Sequence, residues 1–487
     1  MKKLLLFLFS LICLGSAAAL AVQSYAGYQA MLAVLPPGSS IAGIPVGGLS
    51  PQEAGIRVTQ AYLFTPVEAR YDGAVIHLEP QQIGFQLDLE GMLAEAARSR
   101  AIGFWDYLLN RRPPPVTVPL KAGLDRQKLQ TYLATEIAPR YGRAPTAARA
   151  LPGGFDFEPG QAGETLNMED AVEKVSAALF LLEERVVDFT SRPVAALPPA
   201  FEQLEPMLAA IIQTSGFDGV IEVYLQDLQT GREINLAYHQ GQPVAPEIAF
   251  TAASTIKIPV MVSAFRSLVD LPPETRRQME LMIDLSDNSS TDEVMRAALD
   301  ENLAPLQVTR DLRQLGLQNT FLAGMFYPGA PLLDRFETPA NRRTDVTTDP
   351  DPYNQTTPAD MGRLLAAIER CAAQGNGLLI ETFAGEITRE ECQQMITMLR
   401  NNRKAVLIEA GLPEGTPLAH KYGWVTDPLD GLMHNVSDAA IVYLPEGNFA
   451  LTIYVYESEQ LLWDSAQALV AHLTAAAVRY YTYLSHP

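Results

Sequence analysis

The stretch TAASTIKIPV, from Thr251 to Val260, places a serine and a lysine three residues apart at the start of an apolar run. Three residues make almost one helical turn, so the side chains of Ser254 and Lys257 face the same way. The N–H groups and dipole at a helix N-terminus disfavour a protonated amine. A desolvated Lys257 is therefore predicted to accept a proton from Ser254. A lone Ser-xx-Lys pair also arises by chance and by itself indicates no chemistry.

A second short motif, Ser286–Asn288, reads SDN inside MELMIDLSDNSSTDEV. The hydroxyl of Ser286 can relay a proton, and the amide of Asn288 can hold a peptide-like bond. The same three residue types are also preferred at helix N-caps, so the triplet alone favours a cap. It indicates a catalytic site only through its position between the other two motifs.

The third motif, Lys421–Trp424, reads KYGW and lies on a predicted strand. Lys421 can place a positive charge beside a substrate carboxylate. Gly423 removes the side chain that would obstruct a substrate lying along that strand. This motif, too, is unremarkable when it is taken alone.

The order of the three motifs resembles the signature of class A β-lactamases and penicillin-binding proteins. The resemblance covers residues 201–487, with further matches in LRQLGL, TTPADMGRLL and SDAAIVYLP. It implies an antiparallel sheet flanked by helices plus a helical subdomain. The alternating pattern of GVIEVYLQDLQTGREINL independently predicts a β-hairpin, and ALTIYVYE predicts a late strand before a closing helix.

The resemblance also implies a role for each motif residue. Ser254 is the acylated nucleophile and Lys257 its base, while Ser286 passes a proton to the departing nitrogen. The substrate-binding set comprises Asn288, which orients the amide, Lys421, which attracts the carboxylate of β-lactams and D-Ala-D-Ala ends, Gly423, and Trp424, whose N–H forms the oxyanion hole with that of Ser254.

The chain departs from this family in two places that affect turnover. Tyr422 stands where the family carries Ser or Thr, so its phenol either reaches differently or obstructs the pocket. The loop before TTPADM has no clear water-activating glutamate, and Glu337 is the nearest candidate by type. Without such a base the acyl-enzyme persists, which suits a penicillin-binding protein better than an efficient β-lactamase.

Three functional hypotheses follow. The first is an exported β-lactamase-like serine hydrolase that acts on β-lactams or on D-Ala-D-Ala peptides of the cell wall. The second is a D,D-carboxypeptidase or penicillin-binding protein. The third is a non-catalytic peptidoglycan-binding protein with a degenerate site.

The preceding region looks like two copies of one small α+β module, 38–112 and 119–194, bounded by the proline-rich stretches RRPPPVTVP and SRPVAALPP. PVEARYDGAVIHLEPQQIGFQLD aligns with PTAARALPGGFDFEPGQAGETLN at a constant offset. The modules resemble the peptidoglycan-binding repeat of VanW-type cell-wall proteins, which implies glycan or peptide binding. A spacer that lifts the next domain off the membrane is an equal alternative. The whole chain is thus predicted to be a multidomain α+β protein.

The first 27 residues read as a signal peptide or a membrane anchor, because two lysines precede an uncharged apolar run from Leu4 to Val22. The rest of the chain is then expected outside the cytoplasm, in the periplasm or at the cell surface. Cys371 and Cys392 are either paired in a disulfide or are two half-buried thiols.

The amino-acid composition argues against several classes of ligand. A formal net charge of -20 with no basic stripe argues against nucleic acid. The six histidines show no zinc-ligand spacing, so neither a metal nor a cofactor is expected.

Overall fold

The computed structural model describes residues 2–98, 102–151, 154, 156–402, 406–427 and 429–485. The chain divides into two compact units. The first contains residues 1–146 and 162–195, and the second contains residues 147–161 and 196–487.

The N-terminal part of the chain is built from short elements. They are α1 (Lys2–Leu32), β1 (Ser40–Ile41), β2 (Ile44–Pro45), α2 (Pro51–Leu63), β3 (Val67–Tyr71), β4 (Ala74–Leu78), β5 (Phe85–Leu87), α3 (Leu89–Arg98), α4 (Phe104–Leu108), β6 (Thr117–Val118), β7 (Ala122–Leu124), α5 (Arg126–Tyr132), α6 (Ala138–Tyr141), β8 (Arg149–Ala150), β9 (Phe157–Glu158), β10 (Gly163–Leu166), α7 (Met168–Leu179), β11 (Val186–Asp188) and β12 (Ser191–Val194).

The elements of the C-terminal part are longer. They are α8 (Leu204–Thr214), β13 (Val220–Asp227), β14 (Glu233–His239), β15 (Gln242–Val244), β16 (Phe250–Thr251), a 3-10 helix (Ala253–Ile256), α9 (Lys257–Ser267), α10 (Pro273–Asp284), α11 (Asn288–Ala298), α12 (Ala304–Gln314), β17 (Phe321–Leu322), β18 (Asn354–Thr356), α13 (Pro358–Gln374), α14 (Leu378–Thr382), α15 (Arg389–Asn401), β19 (Leu418–Thr426), β20 (Met433–Leu444), β21 (Gly447–Tyr456) and α16 (Trp463–Ser485).

The main sheet of the second unit contains, among the described residues, six strands in the order β15-β14-β13-β21-β20-β19. Every pairing in it is antiparallel. The predicted hairpin is β13 with β14, and the predicted late strand is β21, so both predictions are confirmed. Because β19 stands at the edge, alternate N–H groups of this strand point away from β20.

Helices cover both faces of this sheet, which is why its central strands are buried almost throughout. On one face the core is formed with α9 to α13 and α15. On the other face it is formed with α8 and α16. Along β19 the alternation of side chains puts Lys421 and Gly423 on the α9 side, and His420 and Tyr422 on the α16 side.

Cys371 of α13 and Cys392 of α15 form a disulfide, with their Cα atoms 5.9 Å apart. This decides between the two alternatives that the sequence left open. The bond joins two buried helix faces, and α15 in turn packs against β19.

The first unit has a core of its own, and its small sheets contain two or three strands each. Its helix α1 is long and apolar enough to cross a membrane, and a signal sequence near the N-terminus would pass the same criterion. Residues 147–161, which fall inside the predicted second repeat, belong to the other unit. The predicted boundaries of the two repeats stay predictions, whereas the α+β class of the chain is confirmed.

Candidate active site

Ser254 lies in the 3-10 helix between β16 and α9, and its side chain is half-buried between fully buried neighbours. Ala253 before it has a φ of 48°, a left-handed conformation that non-glycine residues rarely adopt. Thr255 fixes the turn from behind, because its hydroxyl donates to the carbonyl of Ala252 at 2.6 Å and lies 2.7 Å from the hydroxyl of Tyr454. The serine is therefore held rigidly and remains open to solvent.

Lys257 begins α9 and its side chain is fully buried. Its Nζ lies 3.0 Å from Ser254 Oγ, 2.7 Å from the carbonyl oxygen of Ser286 and 2.8 Å from Asn288 Oδ1. Burial lowers the pKa of Lys257 to about 7, and the negative charges of Asp287 and Asp292 offset only part of that effect. The amine is thus substantially neutral at physiological pH.

Four polar atoms surround Lys257 Nζ, because Ser286 Oγ lies 3.3 Å away in addition to the three atoms above. Their chemistry indicates how a neutral Lys257 is oriented. The Ser286 carbonyl and Asn288 Oδ1 can only accept, so they take the two N–H bonds that a neutral amine has. The lone pair of a neutral amine is then left for the two hydroxyls, of which Ser254 Oγ at 3.0 Å lies closer to Nζ than Ser286 Oγ at 3.3 Å. This arrangement can withdraw a proton from the serine.

The SDN triplet is both a helix N-cap and a source of polar groups for the site, the two roles that the sequence allowed. Asp287 is the N-cap of α11 and accepts from the Ser290 N–H at 2.6 Å. Ser286 has a φ of 57°, and this left-handed backbone presents both its carbonyl and its hydroxyl to the buried amine. The cap therefore places the polar groups of the site.

Lys421 joins the site from β19 and is also fully buried. Its Nζ donates to Ser286 Oγ at 3.0 Å and to the carbonyl of Tyr422 at 3.2 Å. The hydroxyl of Ser286 consequently lies between two amines, since Lys257 Nζ is 3.3 Å from the same oxygen.

Gly423 allows β19 to approach the nucleophile closely. A Cβ at this position would lie 2.9 Å from the backbone nitrogen of Ser254, closer than real Cβ contacts allow, and 3.0 Å from Ser437 Oγ, which is already tight. Trp424 follows it and is 42% exposed, and its ring contacts Tyr422 and Trp463, so this side chain lies on the α16 side of β19, opposite Lys421 and Gly423. These contacts link six of the seven residues singled out from the sequence, whereas Trp424 adjoins them only through the backbone of β19.

Tyr422 presents no hydroxyl to this cleft. Its side chain is 1% exposed, its ring stacks on Trp424 with the centroids 5.1 Å apart, and Lys421 Nζ lies 4.0 Å from its centroid. Among the described residues its hydroxyl has no hydrogen-bond partner. Burial raises the pKa of Tyr422 to about 12, so the phenol stays neutral.

Sequence reasoning missed two residues on the other side of Lys257. The ring centroid of Phe326 lies 5.4 Å from Lys257 Nζ, and the Phe326 N–H donates to Asp292 Oδ1 at 2.8 Å. Asp292 is almost fully buried, and burial raises its pKa. Asp292 follows Asn288 by one helical turn, which is the only sequence signal for its position. Phe326 lies in a loop that carries no motif.

The acidic residues of the loop before α13 have partners or positions elsewhere. Glu337 is exposed, Asp345 pairs with Arg343, and Asp351 accepts from the Tyr353 N–H at 2.8 Å. The suggestion that Glu337 activates water gains no support from these contacts and stays untested.

Comparison with known proteins adds a family match. The model of the β-lactamase enzyme family (Beta-lactamase2) matches residues 273–481. This range includes the SDN and KYGW motifs and begins after Ser254 and Lys257. None of the curated proteins compared with the chain matches it.

Several solved structures are similar to the second half of the chain. An ancestral class A β-lactamase is 24% identical, with a TM-score of 0.40 and coverage of 57% of this chain and 99% of that one. The protein PBP-A is 19% identical, with a TM-score of 0.40 and coverage of 58% and 97%. A β-lactamase from Sphaerobacter thermophilus is 17% identical, with a TM-score of 0.40 and coverage of 56% and 97%.

The sheet order, the covering helices and the family match agree with the fold that the motif order implied. The second unit of this chain has the β-lactamase and penicillin-binding-protein fold, and residues 273–481 match the β-lactamase enzyme family.

Proposed function

We propose that the second unit is a serine hydrolase that reacts with β-lactams and D-Ala-D-Ala peptides through an acyl-enzyme on Ser254. One observation carries the proposal: the Nζ atom of the fully buried Lys257 lies 3.0 Å from Ser254 Oγ and within 2.8 Å of two acceptors, the carbonyl oxygen of Ser286 and Asn288 Oδ1. An amine held in this way is a general base rather than a counter-ion.

In the first step, Ser254 Oγ attacks the carbonyl carbon of the amide and its proton moves to Lys257 Nζ. The amide C–N bond then breaks, and the departing nitrogen takes a proton from the hydroxyl of Ser286. Lys257 returns the captured proton to Ser286, whose oxygen lies 3.3 Å away. No net proton is consumed, and the product is an ester on Ser254.

Substrate binding uses the groups that border this hydroxyl. Lys421 supplies a positive charge for the substrate carboxylate, and Asn288 is placed to hold the amide side chain of the substrate. The N–H groups of Ser254 and Trp424 serve as the oxyanion hole, where one donor is typically worth about 3 kcal/mol in the transition state. Gly423 lets β19 lie close to the backbone of Ser254, which brings this edge strand next to the nucleophile.

The second step, hydrolysis of the ester, lacks an evident base. Phe326 puts an apolar ring beside Lys257, and the nearby carboxylate of Asp292 is occupied by a backbone N–H. A slowly hydrolysed acyl-enzyme follows, which favours a penicillin-binding or carboxypeptidase activity over efficient β-lactam destruction.

The rest of the chain suggests where this activity operates. We infer that it lies outside the cytoplasm, since α1 precedes the folded units and the disulfide of the second unit persists in oxidising compartments. The repeats of the first unit are proposed to hold the enzyme near peptidoglycan. Sedimentation of the full chain with isolated wall material tests this step, and recovery in the supernatant at low salt contradicts it.

A fluorescent penicillin tests the proposed chemistry. We expect a stable covalent label on the full chain and no label on Ser254→Ala, because the only proposed nucleophile is gone. Ser289→Ala removes an exposed serine nearby and serves as the matched control, with labelling unchanged. A label that persists on Ser254→Ala, or an unlabelled wild-type chain, contradicts the proposal.

A further inference from the structure

The helix α1 does not end freely, because a short aromatic segment packs against its C-terminal part. Phe104 of α4 lies against Tyr25 and Tyr28, with ring centroids 5.6 and 5.4 Å apart. The hydroxyl of Tyr28 donates to the carbonyl of Ile102 at 2.8 Å. A Cβ at Gly27 would lie 2.4 Å from the hydroxyl of Tyr107, so a glycine is needed for this contact.

The segment 102–112, which contains α4, turns apolar side chains away from α1. Trp105 is 78% exposed and Leu109 is 69% exposed, and Leu108 beside them is also exposed. Arg111 and Arg112 follow directly, and Arg112 lies over the ring of Tyr107 at 4.9 Å. An exposed tryptophan and leucines with two adjacent arginines are typical of a membrane interface, where rings and guanidinium groups meet lipid headgroups.

The length of α1 sets the depth of this segment. The uncharged run from Leu4 to Val22 spans about 28 Å at about 1.5 Å per residue, which is close to the hydrocarbon thickness of a bilayer. Tyr25 and Tyr28 follow within two helical turns and so fall at headgroup level. Because α4 packs on these two tyrosines, Trp105 is carried to the same level.

We propose that α1 is retained as a transmembrane anchor and that segment 102–112 is an interfacial element whose Trp105 and Leu109 insert among the lipids of the outer leaflet. The lysines at positions 2 and 3 then stay on the cytoplasmic side. The partner of this surface is a lipid bilayer, chosen because the surface is continuous with the only helix in the described ranges that can span one.

The test uses the full chain, produced from its native N-terminus and reconstituted into phosphatidylglycerol and phosphatidylethanolamine vesicles. Lipids brominated on the acyl chain quench tryptophans that reach them. The chain has three tryptophans, so we expect quenching of at most about one third of the emission. This component should be missing from Trp105→Phe and present in the matched control Trp424→Phe.

Two further measurements complete the test. Intact mass of the membrane-extracted protein should show that the chain is not processed near Ala19. Gly27→Val, which fills the contact with Tyr107, should reduce the quenching of Trp105. Equal quenching of wild type and Trp105→Phe, or a mature chain that lacks the first residues, overturns the proposal.

Discussion

The two sides of Lys257 are built very differently. On one side, Lys257, Ser286 and Lys421 form a continuous polar chain with every link at 3.3 Å or less. On the other side, Phe326 presents an aromatic ring, and Asp292 Oδ1 accepts a hydrogen bond from the backbone N–H of Phe326. Under the proposed function, the first side serves formation of the ester, and the second offers no evident base for its hydrolysis.

The largest expected effect comes from removing the buried amine. Lys257→Met should slow labelling by fluorescent penicillin about 10³-fold, since a positioned general base typically contributes 10²- to 10⁴-fold. Lys257→Arg should be equally slow, because a guanidinium keeps the charge and cannot release its proton. Labelling reactions quenched at successive times measure both rates. A Lys257→Met rate within tenfold of wild type would contradict the role of Lys257 as the base.

Adding a carboxylate near Lys257 should have the next largest effect. Phe326→Glu places a carboxylate near Lys257, where we expect it to activate a water molecule for attack on the ester, so release of the label should accelerate about 10²-fold. Phe326→Leu is the matched control and should leave release unchanged. Loss of label is followed by gel fluorescence after excess reagent is removed, and equal release from the two variants would contradict this account.

The pH dependence of acylation tests whether Lys257 is the base. The pKa of Lys257 is lowered to about 7, and the amine acts as a base only when it is neutral, which is above that pKa. The labelling rate should therefore level off above about pH 8 and fall about tenfold per pH unit below about pH 6. A rate that stays flat between pH 5 and pH 8 would exclude Lys257 as the base.

The smallest expected effect concerns Tyr422. Tyr422→Phe removes a buried hydroxyl that has no partner among the described residues, so labelling should change less than twofold and the free energy of unfolding should stay equal or rise by up to about 1 kcal/mol. The matched control Tyr454→Phe removes a hydroxyl bonded to Thr255 and should lower it by about 1 kcal/mol. Urea denaturation distinguishes the two variants.

Motif order was enough to predict the fold of the second unit and the polar side of the site. Spacing explains this success, because Ser254 and Lys257 are neighbours on one turn. The hairpin of β13 and β14 was predicted equally well from alternation and a turn.

The opposite side of the site could not be predicted, for a physical reason. Phe326 reaches Lys257 only through a long-range contact between a loop and α9, and no local pattern reports such a contact. The direction of the Tyr422 ring depended on what packs beneath the sheet, namely α16, which follows about forty residues later. Pairing of the two cysteines likewise required the approach of α13 and α15.

The bond between Cys371 and Cys392 has a consequence for how the protein folds. Both sulfurs are buried, so oxidation has to occur before α13 and α15 close over them. A cell that keeps the nascent chain among reducing thiols would assemble the helix pair without its covalent link. Maturation of this protein thus depends on a thiol oxidant that meets the chain during folding.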